Sequence, residues 1–279
     1  MSYKTILVHL DTSVRAHPRL ENALRIAKRF DAHVIGLFAV FEPPPRVFAV
    51  MAGAADYYAQ HAALRREQRG ALERLFHAEL TRAGVSGEWL ASDERATVSV
   101  PHYARCADLV VASQDDSNDP ESFVGDHFPE TLVMSVGRPV LLIPYTGFFP
   151  TLGAHPMIAW DGSREATRAV HDALPLLTSA ERVTVVAIDT DHDEAPGEPI
   201  RGADIAACIA RHGVSVEVSS SEAPSGAQAG EMLLSRAADL GADLVVMGGY
   251  GHARWQERVL GGATRTFLAS MTVPVLMSH

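Results

Sequence analysis

Residues 242–251 read Ala-Asp-Leu-Val-Val-Met-Gly-Gly-Tyr-Gly, a short aliphatic run that ends in glycines. This pattern predicts a buried strand followed by a tight turn. The same Ala-Asp-Leu-Val-Val run occurs at residues 107–111, at an offset of 135 residues. A Pro-Val-Leu run is repeated at the same offset, at 139–141 and 274–276. The chain therefore contains two copies of one plan.

The beginnings of the two copies also match. An initial strand-like run ends in Asp11-Thr12-Ser13 in the first copy and in Asp161-Gly162-Ser163 in the second, at an offset of 150 residues. The second copy is therefore shorter in its middle, by about one helical stretch. Glycines and prolines between residues 145 and 156 predict a linker, so we expect domains at 1–146 and 155–279.

Within each copy, β-branched runs alternate with helix-period segments, which is typical of a parallel sheet with crossover helices. We expect an α/β protein of two tandem domains, each with an open, mainly parallel five-stranded sheet and helices on both faces. The predicted strands are residues 5–10, 33–41, 86–91, 108–113, 139–144, 156–160, 182–188, 214–219, 243–248 and 273–277. Residues 57–83 predict one long helix with a solvated charged face.

Composition excludes several classes of protein. A net charge of -10 over 279 residues, without a Lys/Arg cluster, argues against nucleic acid as a partner. The longest apolar runs are far shorter than the roughly 20 residues of a membrane helix, so no membrane association is expected. The chain opens on a strand-like pattern without a signal sequence, and we therefore expect it in the cytoplasm. Cys106 and Cys208 lie in helix-like stretches and are interpreted as buried structural thiols rather than a disulfide.

Ligands of open α/β sheets bind beyond the carboxyl ends of the strands. Gly248 and Gly251 follow a predicted strand, and Gly261 and Gly262 come nine residues later, at the start of a helix-like run. Glycine lets backbone N–H groups approach an anion, and a helix amino end favours negative charge. With the Thr264 hydroxyl nearby, this spacing predicts a phosphate-binding loop. Two other nucleotide-binding classes are disfavoured, because the loop has no Gly-Lys-Ser/Thr ending and no Gly-x-Gly-x-x-Gly motif follows the first strand of either half.

The spacing of these glycines is similar to the universal stress protein family, whose ATP-binding members carry Gly, two residues, Gly, nine residues, Gly and then Ser or Thr. The Asp-x-Ser, Ala-Asp-Leu-Val-Val and Pro-Val-Leu runs extend the resemblance to both halves. It implies an adenine nucleotide alpha hydrolase-like fold and a tandem member of the family. Gly262 departs from the pattern, because the family has a hydroxyl residue there, and we expect weakened phosphate contact.

The resemblance also implies which residues hold the nucleotide. One group would line the base pocket: Ala159, Trp160, Asp161 and Ala187. Another group would hold the rest of the nucleotide: Met247, Gly248, Tyr250, Gly251, Gly261, Gly262, Ala263 and Thr264. The implied ligand is ATP, with Mg²⁺ as a companion of its phosphates, although the residues leave another adenine compound open.

The first half lacks this motif. In a gapless alignment the four glycines correspond to Ser113, Asp116, Asp126 and His127, and Thr264 corresponds to Pro129. Acidic side chains at two phosphate positions oppose a triphosphate. We expect this half to be a degenerate partner in an intramolecular pseudo-dimer, joined through the strands at 139–144 and 273–277. A homodimer of such chains is also compatible with the sequence.

No nucleophile elbow, His-Glu-x-x-His or Cys-x-x-Cys motif occurs, so we predict no catalytic residues and no metal ligands. Any ATP hydrolysis should be slow and depend mainly on Mg²⁺. The favoured function is a stress-response regulatory protein, in which ATP orders residues 249–260 and changes the surface seen by an unidentified protein partner. Two alternatives stay open: an adaptor that binds no nucleotide, and an adenine-nucleotide-dependent enzyme of the same broad fold.

Overall fold

The computed structural model describes residues 2–40, 54–116, 118–125, 127–189, 201–222, 227–249 and 262–279. The first half contains β1 (Thr5–Leu10), α1 (Ala16–Phe30), β2 (His33–Phe38), α2 (Ala54–Ala83), β3 (Gly87–Ala91), α3 (Ala96–Ala104), β4 (Leu109–Ser113), α4 (Phe128–Ser135) and β5 (Val140–Ile143). The second half contains β6 (Pro156–Trp160), α5 (Arg164–Leu177), β7 (Val183–Asp189), α6 (Gly202–Ala210), β8 (Val216–Glu222), α7 (Ala227–Asp239), β9 (Leu244–Gly248), α8 (Gly262–Ser270) and β10 (Val275–Ser278).

The strands form one sheet of ten, in the order β3-β2-β1-β4-β5-β10-β9-β6-β7-β8. Neighbouring strands within each half are parallel. Successive side chains of a strand enter two different cores: Ile6 and Val8 pack on one face of the sheet and Leu7 on the other. Because both faces are covered, whole strands are apolar rather than alternating. The predicted α/β fold class is confirmed.

The two halves join through their last strands. β5 and β10 are antiparallel, with Leu142 opposite Val275, Leu141 opposite Leu276 and Val140 opposite Met277. The pairing occurs between the two strand segments that the sequence predicts. Since each strand would otherwise be an unpaired edge, the joint satisfies backbone groups on both and makes the sheet continuous.

The connection between β5 and β6 lies on α1. Arg15 Nη2 donates to the carbonyl of Gly147 at 3.0 Å, and Arg29 Nη1 donates to the carbonyl of Leu152 at 3.2 Å. Arg25 Nη1 donates to a third carbonyl in this segment, that of Phe149. Three arginines of the first half therefore fix the path of the chain into the second half.

The long helix predicted over residues 57–83 is present as α2, Ala54–Ala83. It is attached to the sheet by Phe76, which is fully buried. A Cβ at Gly36 of β2 would lie 2.6 Å from the Phe76 ring, so glycine is needed for this close approach.

Strand ends show where the sequence was less informative. β2 was predicted at residues 33–41 but ends at Phe38, and β8 was predicted to end at residue 219 but reaches Glu222. Cys106 was expected to be buried, and this is wrong: it lies in the turn after α3 and is exposed. None of the described helices is both long and apolar enough to cross a membrane.

Candidate nucleotide site

Three neighbouring strands of the second half end side by side. Ala159 of β6 is paired with Met247 of β9, and Trp160 of β6 is paired with Ala187 of β7. Ala159, Trp160 and Met247 are buried, whereas Ala187 is partly exposed. The chain leaves β6 toward β7 on one side and returns as β9 on the other, so strand order reverses here, where α/β sheets bind ligands.

The turn between β6 and α5 is rigidly built. The Oδ1 atom of Asp161 accepts a hydrogen bond from the backbone N–H of Ser163 at 3.0 Å. Gly162, between them, has a φ of 76°, a left-handed conformation that glycine adopts readily. The Ser163 hydroxyl then accepts from the backbone N–H of Ala166 at 3.1 Å and caps the helix. These bonds hold the Asp161 carboxylate at the end of β6.

Close packing explains why residue 248 is a glycine. An added Cβ would lie 2.5 Å from the backbone nitrogen of Ala166 and 2.7 Å from the carbonyl carbon of Glu165, in the first turn of α5. Neither Gly248 nor Gly249 has a left-handed φ, so space rather than backbone conformation requires glycine at 248. The sequence indicated a role in phosphate binding, and the close contact between β9 and α5 is a structural role that it did not reveal.

The described part of the predicted phosphate-binding loop is the start of α8. Gly262, Ala263 and Thr264 form its first turn, which contains no acidic residue. The first N–H groups of a helix have no partner within the helix, so this turn can donate to an anion. Thr264 is largely buried on the same turn. Tyr250, Gly251 and Gly261, which were also predicted to hold the nucleotide, lie outside the described residues.

In the first half, a charged network lies at the end of β1, in the position equivalent to the Asp161 turn. Asp11 is 3% exposed and Arg19 is 1% exposed, and their Oδ2 and Nη2 atoms lie 2.8 Å apart. Burial raises the pKa of Asp11, but attraction to Arg19 and His9 together with hydrogen bonds from Ser13 and Arg19 outweighs it and holds the pKa below its usual value. The cavity beside them has a volume of about 10 Å³, which is space for about one water molecule.

The loop after β4 closes over this network. The Thr12 hydroxyl donates to the carboxylate of Glu121, and the backbone N–H of Val14 donates to Asp119 Oδ2 at 3.2 Å. Asp115 lines the cavity, and desolvation with repulsion from Glu130 raises its pKa to about 7. Acidic side chains thus surround the turn that would face a nucleotide.

The start of α4, the helix that follows this loop, also differs from the start of α8. His127, aligned with Gly262, precedes α4 in a left-handed conformation with a φ of 52°. Pro129, aligned with Thr264, stands at the start of α4 and has no backbone N–H. The first turn of α4 therefore offers fewer donors to an anion than the first turn of α8.

His9 is expected to make the stability of the folded protein depend on pH. Its Nε2 atom lies 2.8 Å from the carbonyl of Ala39, which can only accept, so Nε2 carries the proton and Nδ1 does not. Burial and repulsion from Arg19 lower the His9 pKa from 6.5 to about 4. Between pH 6.5 and pH 4, His9 therefore binds a proton in the unfolded chain but not in the folded protein.

We expect this difference in proton binding to lower the free energy of unfolding by roughly 3 kcal/mol as the pH falls from 6.5 to 4. His9→Gln keeps a donor for the Ala39 carbonyl but does not titrate. Urea unfolding across this pH range should show the wild type losing stability relative to His9→Gln as the pH falls. Parallel stability curves for the two proteins would show that His9 is not a buried neutral imidazole.

One further titratable cluster lies between α1 and α2. Ligand atoms of His17, Glu21 and Glu79 lie within 4.8 Å of one another, although no metal site was predicted. Arg82 Nη2 lies 2.5 Å from Glu79 and 3.5 Å from Glu21, so a cation of the chain already pairs with both carboxylates. The cluster is an ion-pair network between two helices.

Comparisons with known proteins agree with this architecture. Residues 156–279 match the Universal stress protein family. None of the curated proteins compared matches the chain significantly.

Solved structures match over both halves. A universal stress protein from Archaeoglobus fulgidus has a TM-score of 0.70 at 16% identity, covering 98% of this chain and 95% of that one. A functionally unknown protein from Pseudomonas aeruginosa PAO1 has a TM-score of 0.59 at 16% identity, covering 99% and 92%. A putative universal stress protein from Pseudomonas aeruginosa has a TM-score of 0.58 at 17% identity, covering 99% and 93%. Residues 156–279 thus belong to the universal stress protein family, and the chain as a whole has the fold of these solved proteins.

Proposed function

We propose that the second domain binds ATP and that the chain is a nucleotide-dependent regulatory protein of the stress response. The observation that carries the proposal is the contrast between the halves. In the second, the first turn of α8, the helix that comes after β9 in the chain, contains no acidic residue. In the first, Asp11 and Arg19 form a buried ion pair at the equivalent turn, and Asp119 in the loop after β4 accepts a hydrogen bond from the Val14 N–H.

The roles follow from position. Ala159, Trp160 and Ala187 are apolar groups at adjacent strand ends, suited to one face of an adenine ring. The Asp161 carboxylate can only accept hydrogen bonds at neutral pH, so it suits a ribose hydroxyl or the adenine amino group.

The phosphates would lie at the helix end. Gly262, Ala263 and Thr264 offer backbone N–H groups, which bind phosphate without a side chain, so the missing hydroxyl at 262 removes only one donor. The residues of the loop before α8 would complete the cradle. Mg²⁺ would enter with ATP and neutralise phosphate charge.

A regulatory role is favoured over catalysis because the sequence supplies no motif that orients an attacking water. ATP would act by ordering the loop between β9 and α8. This would change the surface to which a protein partner binds. A chain that binds no nucleotide would instead be an adaptor.

Calorimetric titration with ATP and Mg²⁺ tests the proposal. The wild type should bind close to one ATP per chain, and Gly251→Asp, which imports the acidic residue of the first half, should weaken binding at least about tenfold through repulsion of phosphate. Asp116→Ala, at the matching position of the first half, serves as the control and should leave affinity and stoichiometry unchanged. No binding by the folded, ligand-free wild type would reject the nucleotide proposal and favour the adaptor.

A further inference from the structure

Gln114, the residue after β4, reaches from the first domain into the second. Its side chain is buried, and Nε2 donates to the carbonyls of Leu268 at 2.8 Å and Ala269 at 3.0 Å. Its Oε1 accepts from the backbone N–H of Tyr145 at 3.3 Å. The carbonyls can only accept and the Tyr145 N–H can only donate, so these neighbours fix which end of the amide faces α8.

Both carbonyls belong to the last turn of α8, Gly262–Ser270. The final carbonyls of a helix have no intrahelical partner and need another donor when they are buried. Gln114 supplies two hydrogen bonds to them from the other domain. The opposite end of this nine-residue helix is the turn proposed to hold the phosphates, so Gln114 ties that helix to the first domain.

The matching loop and helix of the other half also meet, but the residue equivalent to Gln114 is a glycine. Gln114 aligns with Gly249, and Leu268 aligns with Val133 of α4, both at the offset of 135 residues. A Cβ at Gly249 would lie 2.9 Å from Val133 Cγ1, so the matching loop and helix meet here too. Of these two aligned residues, only Gln114 has a side chain that can form hydrogen bonds. It belongs to the first domain, the one without the glycine motif.

We propose that Gln114 is a positioning residue, by which the degenerate first domain holds the phosphate-binding helix of the second domain in its binding orientation. The inference rests on the proposed function for its effect on ATP, but the attachment of α8 can be measured without nucleotide. The partner in this regulation is thus the chain's own first domain.

The first test compares Gln114→Ala with the wild type, and with Gln68→Ala on α2 as the matched control. Hydrogen exchange of ligand-free protein should be faster in α8 of Gln114→Ala, because the end of the helix loses two donors, and unchanged in Gln68→Ala. Calorimetry with ATP and Mg²⁺ should show about fivefold weaker binding for Gln114→Ala only.

Gln114→Glu separates positioning from general damage. The ionised carboxylate cannot donate and repels the two carbonyls, whereas the protonated acid can donate one hydrogen bond. ATP affinity of Gln114→Glu relative to wild type should therefore be lowest at pH 8 and recover toward pH 5. A merely destabilised protein would not regain affinity as the pH falls.

The outcomes distinguish this inference from the proposed function. If the wild type binds no ATP, the nucleotide proposal fails, while faster exchange in α8 of Gln114→Ala still supports the attachment. Exchange in α8 that matches the wild type overturns the inference. So does wild-type ATP affinity in both Gln114 variants when the wild type itself binds.

Discussion

Asp11→Asn is expected to lower the free energy of unfolding by about 3–5 kcal/mol, because it leaves Arg19 as a buried cation without its partner. The replacement is isosteric, and its amide oxygen can still accept the Ser13 N–H that Asp11 Oδ1 accepts at 3.0 Å. The cost therefore reports loss of charge rather than loss of the turn. Urea unfolding at pH 7, followed by circular dichroism, measures it.

The partner substitution completes a double-mutant cycle. Arg19→Met alone leaves Asp11 buried and unpaired, and should cost a similar amount. Asp11→Asn combined with Arg19→Met removes both charges, so the double variant should be more stable than either single one. Additive losses would show that the two side chains are not coupled as a buried pair.

Gly248→Ala is expected to destabilise the protein by about 1–3 kcal/mol, because its methyl group would overlap the backbone of α5 at Ala166. Backbone in a capped first turn cannot yield as a side chain can. The helix must move away from β9, and the Asp161 turn that leads into it must move as well. ATP affinity should fall together with the thermal midpoint.

Gly249→Ala is the matched control. Its methyl group would meet side-chain atoms rather than backbone, namely Val133 Cγ1 at 2.9 Å and Met277 Cε at 3.1 Å. We expect a loss below about 1 kcal/mol. Equal losses for the two variants, in thermal and urea unfolding, would contradict the explanation of Gly248 by close backbone packing.

The sequence predicted the fold well because its strongest signals are local. The runs at β4 and β9 are continuous aliphatic segments bounded by breakers, and their repetition located the rest of the plan. The end of β2 was less certain because Ala39 and Val40, which follow Phe38, are as apolar as the strand itself. The exposure of Cys106 was missed since a single cysteine beside small residues does not show which side of a turn faces water.

The site was predicted only where a motif marks it. The residues that position the turns depend on contacts distant in sequence, such as Gly248 against α5 and Gln114 against α8. Arg19 did leave a signal: it lies four residues before Ala23, on the buried face of α1, where a cation needs a partner. Its partner, Asp11, was interpreted only as part of the Asp-x-Ser motif.

Photolabelling with 8-azido-ATP and Mg²⁺, followed by peptide mapping, tests the central claim most directly, since the reactive group sits on the adenine ring. The account predicts label on peptides of the second domain that contain the ends of β6 or β7, near Trp160 and Ala187, and loss of that label when ATP competes. Label on the first domain around Asp11, or label that ATP does not displace, would contradict a single adenine site in the second domain.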